Sequence, residues 1–595
     1  MNYTYVTNPA DLGGIANLVS SAPVIGLDVE ATHLDPRKGR LRLVQLAVGD
    51  PNDPTIFVID VFETKTLGPV IEALRETKGV IVIHNAKFEQ KWFWWFYRLK
   101  LWPVFCTFRA SALLHNGHDG LSHKLDNVII RELKETPTNV GEGGSDWSGP
   151  LTQHQKDYAA EDVYRLLRLY PVLRAKLQEM GLLRAALIEF GVGLAEGRVE
   201  LNGFRLDAQR WLALDAANVM AATRLQAELM DVLPHPLGQL GLPGIGASWN
   251  LRSPPQVKKS FARLGHNLPD TTEMTLAMLA GSVPAIAKFL EWRGFDQRIK
   301  TFGDDYLRHL DTDGRIHADY YAMLASGRYS CSDPNLQQIP HAPEYRDCFA
   351  VEDGRILILA DYPGIEMRIV AEVSGDPALT QVFVSGQDAH YATAAILSDK
   401  PVSAVTKTER SFAKPVNFGL IYGMMPPKLV LYAQSGYGVS MSLKDAERYH
   451  RKYFENYAGV KRWHDRVMRE GQRSGVSRTL SGRLRWLDPQ TSWNEFKNTP
   501  IQGLGADALK MSLRIVQDNL DKAFGVSPPE HGDGPVALVH HVHDEIILEA
   551  DNDPEMRTEA ARILTSGMEE GIRTFLKNVP VEVEASFGTS WAEAK

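Results

Sequence analysis

The stretch Arg355-Ile-Leu-Ile-Leu-Ala-Asp361, closed by Pro363 and Gly364, constrains this chain more than any other. Four consecutive aliphatics, Ile356 to Leu359, read as a short strand buried on both faces, and Pro363 and Gly364 end it just after the acid. The spacing of Ile365, Ile369 and Val370 then starts a helix. Asp361 therefore stands at a strand-to-helix corner, where an acid serves either as a helix cap or as a cation ligand.

A second stretch bears on that choice. Val536 to Glu549 reads as two apolar strands interrupted by His543, Asp544 and Glu545. Adjacent carboxylates flanked by Val542 and Ile546 would cost several kcal/mol if buried ionised and unpaired. The interruption is thus a tight turn, a cation site or both, and it lacks the Gly, Asn or Pro that a simple turn uses. In a third stretch Arg410, Lys414, Phe418 and Tyr422 recur every four residues. On a helix a step of four advances about 400°, so these side chains form one stripe drifting about 120° over roughly 18 Å. A merely amphipathic helix does not account for a mixed cationic and aromatic stripe bounded by Gly419 and Gly423. Pro415 predicts a bend or a helix start within it.

These three stretches resemble the family A DNA polymerases, the DNA polymerase I type. Asp361 to Arg368 is similar to that family's first palm motif, Val542 to Glu545 to its second, and the 410–422 stripe to its nucleotide-binding fingers helix. The resemblance implies two magnesium ions, for which manganese can substitute, held about 4 Å apart by Asp361, Asp544 and the Tyr362 carbonyl. It implies that Asp361, Asp544, Glu545 and Lys414 are catalytic, with His543 and Glu545 supporting the primer end. Arg410 and Lys414 would clamp the phosphates, Phe418 would lie against sugar and base, and Tyr422 would close the far end. Ser326 to Pro340 matches the segment that holds primer and template, and Asn498 to Asp507 the palm helix that offers Gln502. The donors Arg328, Asn335, Gln337 and Gln502 suit the minor groove, where every correct pair presents the same acceptors. Glu366 occupies the position that fills the space of a ribose 2'-hydroxyl, which implies deoxynucleoside triphosphates as substrates. The chain departs from the family pattern at Asn494, Ser411, Pro363 and Gly364.

Before this region lies a second acidic set. Asp28 and Glu30, two apart on the strand Pro23 to Glu30, project from one face, and like charges there repel unless a cation joins them. The strand Gly79 to Asn85 leads into Glu89. Thr152 with Gln155 forms a capping-box signature that opens a helix carrying Tyr158 and Asp162 one turn apart. This set resembles the proofreading 3'-5' exonucleases of ribonuclease H-like fold. It implies that Asp28, Glu30, Glu89 and Asp162 hold two divalent ions and that Tyr158 orients the attacking water, with Glu89 standing where the family usually has Asp. The aromatic run Trp92 to Tyr97 reads as core packing, and Gly141 to Pro150 as a flexible connection.

The 595 residues divide into several domains of α/β type. The expected order is a ribonuclease H-like exonuclease at 1–180, then a right-hand polymerase at 181–595. Within the latter the thumb lies at about 190–310, the palm at about 311–375 and 480–595, and the fingers at about 376–479. A net charge of -8 does not favour nucleic acid, yet acid clusters that bind cations leave grooves elsewhere basic. The three cysteines lie far apart, against zinc and disulfides. Neither a secretory signal nor a membrane span is visible, so a cytoplasmic monomer is expected, its partners being primer-template DNA and deoxynucleotides. Its compactness suits a phage replicase. A single-subunit RNA polymerase is opposed by Glu366 and the nuclease region, and a catalytically idle DNA-binding scaffold by Asp361, Asp544 and Lys414.

Two outcomes follow from the resemblance. Glu366→Ala is expected to raise ribonucleotide incorporation about tenfold or more in primer extension, and unchanged sugar selectivity refutes the assignment. With no hydroxyl on Phe418, dideoxynucleotides are poor substrates, and Phe418→Tyr is expected to improve their use about a hundredfold in a chain-termination assay.

Overall fold

The computed structural model describes residues 2–138, 141–236, 249–526 and 534–595. Six strands, β1 (Thr4–Val6), β2 (Val24–Ala31), β3 (Leu41–Asp50), β4 (Asp53–Asp60), β5 (Val80–Ile83) and β6 (Val104–Cys106), form one sheet in the order β1-β4-β3-β2-β5-β6. β2, β3 and β4 are antiparallel, while β5 and β6 join β2 in parallel. Helix α1 (Lys87–Tyr97) follows β5, and α2 (Gln153–Glu179) lies across β2, β3 and β4. The capping box at the start of α2 is formed as expected, Thr152 accepting from the Gln155 amide and Gln155 from the Thr152 amide. On α1, Trp92, Phe93 and Trp94 are buried, which bears out core packing for the first half of the aromatic run, whereas Phe96, stacked on Trp92, is 39 % exposed. The glycine-rich segment before α2 is tied down by the buried Trp147 and by Gln155, which donates to Ser145 and to the Asp146 carbonyl.

Helix α3 (Leu183–Asn202) is buried along nearly its whole length, between the first unit and the second. Such a helix is a core element shared by both neighbours. Between Tyr170 and Met230 the helical run breaks twice, first where Gly181 at φ +67 ends α2 before α3 begins and again after Asn202. Asp207 caps the next helix, Ala208–Val232, accepting from the Gln209 and Arg210 amides. This helix packs with Pro284–Phe302 over a small separate core that includes Leu229, Phe261, Ile286 and Trp292. The Pro/Gly-rich stretch from Pro234 to Gly246 lies mostly outside the described residues.

The second unit is built on an antiparallel sheet of β7 (Arg355–Asp361), β8 (Val536–Val542), β9 (Glu545–Asp551) and β10 (Ala585–Gly588), in the order β8-β9-β7-β10. β7 lies inside this sheet, and Ile356 to Ala360 are buried. Around it stand α4 (Ile365–Ser374), α5 (Lys407–Ile421) and the long α6 (Glu495–Phe524).

Two expectations need correction. α5 starts at Lys407 on a Thr406/Glu409 capping box and runs through Pro415, so Pro415 is not a helix start. The proline forfeits one bond to the Ser411 carbonyl, but Ser411 is exposed to water and the ring itself is buried among Ala413, Val416 and Leu420. The sequence Val579-Pro-Val-Glu-Val-Glu584 alternates like a strand, yet the strand begins only at Ala585. Val579, Val581 and Val583 are buried, yet the Val579 and Val583 amides donate to Glu372 and Glu569 carboxylates instead of a neighbouring strand. Among the described residues, no helix is long and apolar enough to cross a membrane.

Candidate active sites

In the second unit the ladder between β7 and β9 runs to its last pair, Asp361 opposite Glu545. Asp544 precedes that pair in a two-residue turn, and its carbonyl accepts from the Tyr362 amide at 3.3 Å. The other turn residue, His543, takes φ +56, a conformation disfavoured for its side chain and characteristic of turns and strained sites. This is how the hairpin closes without glycine or asparagine.

Asp361 and Asp544 thus line one cleft of about 480 Å³, together with Arg328, Tyr362, Glu366, Phe418, Gln502 and His543. Five chain segments, each singled out in the sequence, meet there. Burial, and then the Asp361 charge, push the Asp544 carboxyl up to about 6. Two acids facing each other in a half-dry cleft are a fit for a divalent cation. Glu366 accepts from Arg328 Nη2 at 2.9 Å, and the Tyr422 phenol sits beside Glu366 and Gln502, raised by burial and by the Glu366 charge.

Glu545 is a correction. It is 1 % exposed and does not face the cleft; its carboxylate accepts from Trp591 Nε1 at 2.7 Å and from Lys595 Nζ. Its part is to hold the turn and the chain's last residues together. Tyr362 is buried and its hydroxyl donates to the Met568 carbonyl at 2.6 Å.

The helical stripe is formed as expected, but its members stand differently. Lys414 is exposed, and among the described residues it has no hydrogen-bond or ion-pair partner. Arg410 instead donates to Asp388 Oδ2 from Nη2 at 2.6 Å. His390, which sequence reasoning missed, lies 5.6 Å from the Phe418 ring, with Asn417 Nδ2 at 2.9 Å from its Nδ1. Burial and the neighbouring Arg410 and Lys414 charges leave it at about 4, hence neutral. No spacing in the sequence links it to the stripe; only the packing of its helix on α5 does.

Asn335 and Gln337 do not line the cleft. Asn335 accepts from the Gln337 amide and opens on a separate hollow of about 310 Å³ with Lys300 and Arg308, while Gln337 reaches the His541 carbonyl at 3.4 Å. In the helical arm Arg252 is paired with Asp296, and Lys258 donates to the Pro269 carbonyl.

In the first unit, carboxylate oxygens of Asp28, Glu30 and Asp162 all lie within 4.8 Å of one another. β2 places the first two on one face, and α2 brings the third. The helix approaches closely because residue 26 has no side chain: a Cβ there would lie 2.8 Å from the Val163 carbonyl. Glu89, on α1, is outside that trio but close enough to feel Asp28. It is 2 % exposed, and its Oε2 has no hydrogen-bond partner. Burial raises Asp28 to about 7, and burial with the Asp28 charge drives Glu89 and Asp162 well above the usual carboxylate range. Tyr158 stands beside Asp162, raised by burial and then by the Asp162, Glu30 and Asp28 charges. A buried set of acids that repel one another, one of them with a free oxygen, fits cations.

Residues 242–593 match DNA polymerase family A, and residues 3–178 match the 3'-5' exonuclease family. The chain is 30 % identical over 618 residues to DNA polymerase I of Aquifex aeolicus, covering 100 % of both chains. It is 30 % identical to the thermostable DNA polymerase I of Thermus aquaticus over 80 % of this chain and 56 % of that one, so it spans about half the length of that relative. These relatives are bacterial, where compactness had suggested a phage. The POL domain of Pol1 from M. smegmatis, solved in complex with DNA primer-template and dNTP, shares the fold, with a TM-score of 0.82, 24 % identity and 99 % of this chain covered.

The raised carboxylates set a pH dependence. Below about 7 Asp28 carries a proton that a bound cation would have to displace, so the apparent affinity for a cation is expected to fall, by up to about tenfold per pH unit, as pH drops through about 7. Calorimetric titration of Mg2+ or Mn2+ into the Asp544→Ala variant, in two buffers of different ionisation enthalpy, reads this directly. Affinity that stays flat below about pH 7 contradicts it.

Proposed function

The chain belongs to DNA polymerase family A, a template-directed DNA polymerase carrying a 3'-5' exonuclease domain, and we propose that synthesis takes place in the cleft between Asp361 and Asp544. The observation that carries this reading is the meeting of those two acids with Glu366, Phe418, Gln502 and Arg328 in one cavity. The substrates are primer-template DNA and deoxynucleoside triphosphates. When bound, a pair of magnesium ions supplies Lewis acidity at the primer 3'-hydroxyl and at the leaving pyrophosphate.

The chain's own residues do the rest. Asp361, Asp544 and the Tyr362 carbonyl hold the cations, and no covalent nucleophile is required. Lys414, without a hydrogen-bond or ion-pair partner among the described residues, and Arg410, once it leaves Asp388, bind the triphosphate. Phe418 supports sugar and base, and Tyr422 closes the far end beside Glu366. Glu366, braced by Arg328, occupies the space of a 2'-hydroxyl. Arg328 and Gln502 meet minor-groove acceptors at the primer end, with His543 beside them and Asn335 and Gln337 further along the duplex. Glu545 contributes by holding Trp591 and Lys595 behind the turn.

In the nuclease, Asp28, Glu30, Glu89 and Asp162 hold the cations, and Tyr158 orients water toward the scissile phosphodiester. The domain reading is nuclease 1–180, thumb about 190–310, palm about 311–375 with 480–595, and fingers about 376–479. The separate small core of the helical arm supports a thumb able to move as a body. The enzyme works as a monomer in the cytoplasm.

Timed degradation and extension of one labelled primer-template tests both sites at once. Asp544→Ala is expected to lower extension about a thousandfold or more and leave degradation unchanged, and Asp28→Ala to do the reverse. Near-normal extension by Asp544→Ala would remove the polymerase site from this cleft.

A further inference from the structure

Six charged side chains lie buried together away from both carboxylate sites, where the nuclease, α3 and the polymerase meet. They are Arg109 of the nuclease, Glu189 and Glu196 on α3, Arg483, and Asp507 and Lys510 on α6, and none is more than 5 % exposed. Three cations face three anions, so the cluster is neutral. Arg109 donates to Glu196 and, at 2.6 Å, to the Glu189 carbonyl. Glu189 Oε1 accepts from Lys510 Nζ at 2.5 Å and from Arg483, and Arg483 Nε reaches Asp507 Oδ1 at 3.0 Å.

The cluster touches the primer-holding segment on either side of Arg328. Tyr329 donates its hydroxyl to Glu196 Oε1 at 2.7 Å. Gly327, at φ +83, lies so close to Arg483 that a Cβ there would stand 2.9 Å from Nε. Between these two anchors Arg328 extends into the cleft and holds Glu366 at 2.9 Å. Apolar side chains of equal volume would fill the same space without the desolvation penalty of six charges. What they cannot do is fix the direction of the Tyr329 hydroxyl, and through it the backbone that aims Arg328.

We infer that Arg109 and Glu196 are positioning residues for polymerase selectivity: a nuclease-domain arginine, acting through Glu196 and Tyr329, sets Arg328 and Glu366 against the primer end and the incoming sugar. The inference rests on the assignment of Arg328 and Glu366 above. It gives the nuclease domain a second role, independent of its own chemistry.

The test uses the full chain. Tyr329→Phe removes one hydroxyl and no charge. Arg109→Met leaves Glu196 buried against Tyr329 alone, and adding Glu196→Gln removes the second charge while keeping an acceptor. In Tyr329→Phe and Arg109→Met, the preference for deoxy- over ribonucleotides and for matched over mismatched primer ends is expected to fall about tenfold. Extension kcat on a matched primer and digestion of single-stranded DNA stay within about twofold, and the double variant recovers most of the loss. Unchanged preferences in Tyr329→Phe overturn the inference, whether or not Arg109→Met folds. So does a loss in Arg109→Met that the double variant fails to recover while single-stranded digestion is intact. Glu366→Ala run alongside separates the claims: if it lowers sugar preference and Tyr329→Phe lowers neither preference, the positioning role alone has failed. If Glu366→Ala leaves sugar preference unchanged, the Glu366 assignment has failed, and the matched-end preference still decides the positioning role.

Discussion

Repulsion between carboxylates is the constraint that the rest of this structure is arranged to withstand. In the polymerase cleft the two acids are held near each other by main-chain bonds: a seven-residue ladder from Arg355 to Asp361 and the Tyr362 amide on the Asp544 carbonyl. The third acid of the group, Glu545, is taken out of the contest by Trp591 and Lys595. Without those donors Asp544 and Glu545 would stand as adjacent uncompensated charges opposite Asp361, at a cost of several kcal/mol. The disfavoured φ of His543 is a small addition to that account.

The nuclease solves the same problem by a different route. Its acids come from two residues of one strand and from two helices, and no cationic side chain is a cause of the shifts at Asp28, Glu89 or Asp162. Their ordinary partners are absent, so protonation or a bound cation relieves them. Glu89 lies buried beside Asp28, and among the described residues its Oε2 is not diverted into a hydrogen bond.

Much of this was legible in the sequence because it depends on short-range rules. The corner at Asp361, the capping boxes at Thr152 and Thr406 and the cap at Asp207 follow from residue type and spacing. The stripe on α5 follows from helical periodicity. What could not be read are partnerships across hundreds of residues. Arg109 and Glu196 look like ordinary members of their helices until Tyr329, 133 residues beyond Glu196, supplies the third party. Glu545 sits inside the motif yet belongs, by its bonds, to Trp591 and Lys595. Pro415 and the alternating valines after Asn578 misled because a local rule was overruled, once by tertiary packing and solvent, once by the glutamates that took the strand's hydrogen bonds.

The close seat of α2 on β2 over Gly26 has a consequence for anyone wishing to silence editing in this enzyme. The approach of the helix to the strand is governed there by the lack of a single methyl group, at a position packed against Val163, Leu167 and Ala47. A spacer inserted at residue 26 acts as a wedge, prising the helix from the sheet and leaving every acid intact but out of step. The spacing of the nuclease acids thus depends on steric thickness at residue 26 as well as on the acids themselves.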